Sequence, residues 1–197
     1  MANSFDTELE TPELESLSSL AQHLVYRLPE CDDATIRLTL REVYRDFCRR
    51  ACCLRVRRHF HGPCCHIPVA FGGTVLQVTE VWSGTHRLCA GREFTCAGSN
   101  VMIPHHRCDD VVIAWVEIPP LSCEEAPQWI LDKYGDALCS GALARLLAQP
   151  NRPWSDQQMA VVESQRYEAA VGEERQNLYT ESPAGSLGTV FDTSDMI

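Results

Sequence analysis

The segment from Gly141 to Ala160 constrains this chain more than any other. Gly-Ala-Leu-Ala-Arg-Leu-Leu at 141–147 is rich in strong helix formers, whereas Pro150 and Pro153 cannot continue a helix and push the residues before them out of the α region. Ser155 then reads as an N-cap, Gln158 as its N3 partner in a capping box, and Trp154 and Met159 as the two halves of a hydrophobic staple. The pattern is a helix, a hard stop and a second helix, which together make a helical hairpin.

The N-terminal third adds two helices. Thr11 reads as an N-cap with Pro12 at the first helical position, where proline is favoured. Leu14, Leu17, Ala21, Leu24 and Leu28 follow at spacings of three and four, which predicts a helix over 12–28 that Pro29 ends. A second helix over 33–50 starts after Asp32 or Asp33, whose carboxylates suit the free amides and positive dipole of a helix start. Ile36, Leu40, Val43, Tyr44, Phe47 and Cys48 form its apolar face. Arg37, Arg41 and Arg45, at intervals of four, make a ridge that faces either solvent or a partner. Helices resume over 123–148, with Ser122 as cap, and over 156–177. The last is polar, and Met159, Val162, Tyr167 and Val171 are its core-like positions. The remainder, 179–197, reads as an extended tail in which Phe191, Met196 and Ile197 are apolar anchors for a partner groove.

Between 52 and 120 the period changes to that of strands. Leu54, Val56 and Arg58 alternate with Arg55 and Arg57, and Val75 to Val81 is enriched in β-branched residues. Turns fall at Gly72–Gly73, Ser83–Gly84 and Gly98–Asn100, and Val111–Ile118 reads as the best buried strand, stopped by Pro119 and Pro120. The expected fold class is therefore α+β. It is a helical bundle of two N-terminal and two C-terminal helices with an inserted small antiparallel β region and extended termini. An acidic arm, 1–10, precedes a single domain over 11–178.

Charge is arranged in zones. Residues 1–33 hold eight acids against one base, residues 34–66 eight arginines against two acids, and the chain from Cys123 onward twelve acids against five bases. A net charge of −10 argues against free nucleic-acid binding, so the basic zone is expected to meet an acidic one within the subunit or on a neighbour. No run of about 18 apolar residues occurs, and the N-terminus lacks the pattern of a signal peptide. The eleven cysteines are expected to be mostly reduced.

His61, Cys64 and Cys65, with His106 and Cys108, are weak candidates for a zinc site, because neither group has the regular short pair spacing that such sites use. No cofactor is expected. No phosphate loop, nucleophile elbow or metalloprotease motif is present, and a cysteine nucleophile needs a base that sequence proximity does not supply, so no catalysis is expected.

The hairpin 141–160, with its Pro turn, Pro-Trp and long polar helix, resembles the C-terminal helical pair of the head-to-tail adaptor (neck or connector) proteins of tailed bacteriophages. Leu28-Pro29-Glu30-Cys31 and the helix ending Phe47-Cys48-Arg49-Arg50 are similar to that family's first helical block, and the resemblance covers about half the chain. It implies a structural virion protein at the neck between head and tail, made in the host cytoplasm and closing into a homo-oligomeric ring of roughly twelve copies. The implied partners are the portal ring and the tail (nozzle or tube) proteins, with DNA crossing the lumen without sequence-specific binding and no membrane involved. Arg37, Arg41, Arg45, Trp154, Phe191, Met196 and Ile197 are then the interface candidates. The alternative is a zinc-stabilised cytosolic module that binds nucleic acid or protein.

Overall fold

The computed structural model describes residues 13–60, 64–66, 73–104 and 110–181, with the backbone alone at Cys64, Cys65 and 178–181. Four helices, α1 (Ser18–Arg27), α2 (Asp33–Ala51), α3 (Gln128–Leu147) and α4 (Gln157–Glu181), surround one apolar core. Helix α2 is its axis. Asp32 caps it by accepting from the Thr35 amide at 2.8 Å, and Cys52, at φ 52°, ends it in the left-handed region. Ile36, Leu40, Val43 and Phe47 recur every three or four residues and are fully buried.

Helices α3 and α4 pack antiparallel across that face. Phe47 meets the Tyr134 ring with centroids 4.9 Å apart. Gly141 is what lets the three helices close: a Cβ there would lie 2.7 Å from both Val43 Cγ1 and Tyr167 Cδ2, closer than real contacts allow.

The sheets enclose a second core. Strands β2 (Arg55–Phe60), β4 (Thr74–Ser83), β5 (His86–Arg87) and β8 (Val111–Ile118) form an antiparallel sheet in the order β2-β8-β4-β5. Strands β3 (Cys64–His66), β6 (Thr95–Ala97) and β7 (Asn100–Met102) form another, in the order β3-β7-β6. The near-continuous apolar run of β8 is that of a strand covered on both faces. Val111, Ile113 and Trp115 cluster with Val78, Val81, Phe94, Val101 and Ile103. Two register shifts in β4 bend it around this cluster. Gly84 and Gly98, at φ +56° and +57°, make the tight turns into β5 and β7.

The two cores meet where β2 begins. Leu54 belongs to the helical core, yet its carbonyl accepts the Glu117 amide at 2.9 Å, and Glu117 in turn accepts the Trp115 indole N–H at 2.7 Å.

The architecture is α+β, but the expectation of a helical bundle with a small inserted β region is overturned. Among the described residues nine strands form three antiparallel sheets, and the sheet portion carries a core of its own. Strands also arise outside 52–120. Strand β1 (Leu14–Ser16) pairs with β9 (Glu125–Pro127), Leu14 opposite Pro127 and Ser16 opposite Glu125. Glu13 and Glu124 extend the ladder through bonds to the Gln128 and Leu17 amides. The segments read as first turns of helices 12–28 and 123–148 are therefore extended, and α1 and α3 start at Ser18 and Gln128. Pairing that buries Ala126 completely outweighs local helix propensity there. Thr11 and Pro12 lie outside the described residues.

Candidate interaction surface

The turn of the α3–α4 hairpin is closed by its own polar groups. Ser155 Oγ donates to the Gln149 carbonyl and accepts from the Arg152 amide at 3.0 Å, while the Asp156 amide donates to the Leu147 carbonyl at 3.0 Å. Asn151, at φ 58°, supplies the left-handed residue of the turn. The cap of α4 is Asp156, whose Oδ1 accepts the Met159 amide at 3.0 Å. The capping box on Ser155 and Gln158 is thus not formed, because Ser155 is spent on the turn. Trp154 packs against the helical core with the Arg152 guanidinium over its ring at 5.7 Å, and its buried indole N–H has no partner among the described residues.

The buried face of α4 is Ala160, Glu163, Tyr167, Val171 and Glu174. The phase read from Met159 and Val162 is wrong by one position at the start of the helix. Met159, Val161 and Val162 are 42%, 58% and 42% exposed. The sequence signal for the true phase was the spacing Ala160, Glu163, Tyr167, which was masked by the cost normally attached to burying a carboxylate.

Both glutamates are compensated. Glu174 accepts from Tyr134 Oη, from Lys133 Nζ at 3.2 Å and from Asn177 Nδ2 at 3.4 Å, and it pairs with Arg55 at 3.5 Å. Burial raises its carboxyl, but the bonds from Tyr134, Lys133 and Asn177 outweigh that and hold it below the ordinary carboxylate range. Burial, and then the bond to Glu174, push the Tyr134 phenol up to about 12. Glu163, 1% exposed, takes Arg27 and Arg166 at 3.3 Å on one oxygen. Its other oxygen has no partner among the described residues. Between α1, α3 and α4 runs an open groove of about 530 Å³, flanked by His23, Arg27, Lys133, Asp136, Arg166 and Glu173.

The arginine ridge does not present three equivalent charges. Arg37 pairs with Asp33 at 2.6 Å and Arg41 with Glu124 at 3.1 Å, which ties α2 to the chain before β9. Arg45 is exposed, without an ion pair among the described residues. Arg50 binds Glu168 across the helix pair, which lowers the Glu168 carboxyl. Phe191, Met196 and Ile197 lie outside the described residues. So do His61, His106 and Cys108 of the zinc candidates, while Cys64 and Cys65 are placed on β3, opposite Met102 and Val101. Among the described residues no group of three or more His, Cys, Asp or Glu side chains is placed to hold a metal ion.

Cys31, Cys48, Cys52, Cys53, Cys89, Cys96, Cys123 and Cys139 are free thiols. Cys48 and Cys53, both buried, have sulfurs 3.8 Å apart. Burial raises the Cys48 thiol and pushes those of Cys96 and Cys139 up to about 11, which leaves little thiolate at neutral pH. No protein-family model matches the chain, and no curated protein matches it.

Proposed function

We propose that this chain is a structural virion protein, the repeating subunit of a ring-forming head-to-tail adaptor that joins the portal to the tail and surrounds the DNA channel. The observation that carries this reading is the hairpin, with its Gly-Ala-Leu-Ala-Arg-Leu-Leu helix, Pro turn and Pro-Trp, and its resemblance to the adaptor family. Its second arm offers what lateral packing of subunits needs. Helix α4 turns Met159, Val161 and Val162 outward while two glutamates occupy its buried face, so its apolar surface is available to a neighbour. Roughly twelve copies would stand side by side around the axis, in contact with the portal ring on one side and the tail proteins on the other. An overall charge of −10 suits a lumen through which DNA slides without adhering.

The test is the native mass of the purified chain, alone and mixed with a portal ring. A monomer that becomes a stoichiometric ring on the portal is the expected result, and a monomer that ignores the portal overturns the reading. Val161→Asp with Val162→Asp should abolish the ring while leaving the helical circular dichroism of the monomer unchanged.

A further inference from the structure

The joint between the two cores holds a pair of thiols that the fold itself does not require. Helix α2 carries Cys48 on its last buried turn, Cys52 ends the helix in the left-handed region, and the chain then returns Cys53 to the same apolar core. Cys48 and Cys53 are 0% and 3% exposed, and their sulfurs lie 3.8 Å apart. A bond of roughly 2.05 Å between them needs a closure of under about 2 Å, shared by two side chains. Tyr44, one turn earlier, hydrogen-bonds to Cys48 and favours its thiolate, although burial opposes that charge and outweighs the bond. Neither thiol presents surface to a reagent in solution.

Cys52 does present surface. It is partly exposed, its Sγ donates to the Arg49 carbonyl at 3.6 Å, and Arg55 and Arg175 supply positive charge that favours its thiolate against the burial that raises it. It is also the chain neighbour of Cys53. Adjacent Cα atoms are about 3.8 Å apart, short of the roughly 4.4–6.8 Å that relaxed disulfides span, so a bond between neighbours is readily passed on to a better-placed thiol.

We propose that Cys48 and Cys53 form an oxidisable dithiol site, closed to an intramolecular disulfide by small disulfides of the glutathione type, with Cys52 as the entry thiol. Three exchanges complete the reaction. Cys52 attacks the small disulfide, forming a mixed disulfide and releasing one small thiol. Cys53 attacks the Cys52 sulfur and releases the second. Cys48 then attacks the Cys53 sulfur and breaks the bond to Cys52, which recovers a proton. The thiols of Cys48 and Cys53 are oxidised, one small disulfide is reduced to two small thiols, and Cys52 ends as it began.

The product fastens the last turn of α2 to the residue before Leu54. The Arg55 amide donates to the Cys53 carbonyl and the Glu117 amide to the Leu54 carbonyl, both at 2.9 Å, so the new bond pins the start of β2 and its seam with β8. A reducing cytosol leaves the site open, and an oxidising medium closes it. The chemistry belongs to the single chain and does not depend on assembly into a ring.

Oxidised glutathione added to the fully reduced chain, followed by alkylation in denaturant and tryptic mapping by mass spectrometry, tests this. Cleavage after Arg49, Arg50 and Arg55 separates Cys48 from the peptide 51–55. The expected product is those two peptides joined through Cys53, with Cys52 alkylated. Cys52→Ser should form the same bond at least about tenfold more slowly, and Cys53→Ser should leave Cys48 a free thiol. In the oxidised wild type the Arg55 and Glu117 amides should exchange at least about tenfold more slowly than in the reduced chain, with α3 unchanged. Cys48 recovered as an alkylated thiol, Cys48 joined to Cys123, or oxidation that stops at a Cys52–Cys53 bond overturns the proposal. Equal rates in wild type and Cys52→Ser overturn the role of Cys52 as the entry thiol.

Discussion

The helical core and the sheet core of this protein close in opposite ways. Around α2 the apolar faces of α1, α3 and α4 pack into one continuous core, and the periphery is tied by ion pairs that bridge helices, such as Arg27–Glu163 and Arg50–Glu168. The sheet core is closed in its middle, where β8 is covered on both faces, and ends at a rim where, among the described residues, β2 and β5 each have a neighbour on one side only. The difference separates two roles. Substitutions around α2 should register as stability, whereas substitutions at the rim of the sheet should register as recognition.

The strongest way to break that division is to remove Trp115, the largest fully buried side chain of the sheet core. Trp115→Ala should cost about 3–5 kcal/mol of sheet stability and leave the Glu117 carboxylate without its indole donor. If the cores are separable, exchange protection over 74–118 falls while that over 128–147 persists, and a joint collapse in urea would show that they unfold as one.

Next is Gly141. Gly141→Val forces a side chain into Val43 and Tyr167 and should destabilise by about 2–3 kcal/mol, read from the urea midpoint. The polar stitch on Glu174 follows. Its lowered carboxyl contributes stability that is present above the unfolded value of about 4.3 and lost as pH falls through the lower folded value. Tyr134 contributes the opposite limb, stability present below about 10 and lost as pH rises through about 12. Glu174→Gln should flatten the acid limb, and Tyr134→Phe the alkaline one, in melting temperatures measured across pH.

Asp32→Ala removes the cap of α2 and should cost about 1 kcal/mol. The smallest effect has the other sign. Gly172 on α4 has nothing within 4 Å of an added Cβ, so Gly172→Ala should stabilise by about 0.5–1 kcal/mol, a contrast with Gly141 in the same assay.

What was legible in the sequence follows from how far each signal depends on distant residues. Helix α2 carries its cap, its apolar stripe and its stop within its own residues, and β8 announces itself as an apolar run ended by two prolines. The β1–β9 ladder was not legible. Leu14 and Leu17 keep helical spacing, and only a partner more than a hundred residues away makes Leu14–Ser16 extended. The phase of α4 was lost for a related reason: Glu163 and Glu174 are burial sites only because Arg27, Lys133, Tyr134 and Arg55 converge on them from other elements. The arginine ridge was legible as a ridge, but not that Glu124 and Asp33 take up two of its members.

The β1–β9 ladder also has a mechanical meaning. Because the strands are antiparallel, the chain end that enters β1 and the start of α3 lie at the same end of the ladder, where Leu14 faces Pro127 and the Glu13 carbonyl holds the Gln128 amide. A pull on the N-terminal arm against the helices therefore loads these bonds one after another, beginning at Glu13, instead of all at once. The pair would open like a zip at low force and in a fixed order, and α1, whose first amides follow directly from Leu17, would be the next element to feel the load.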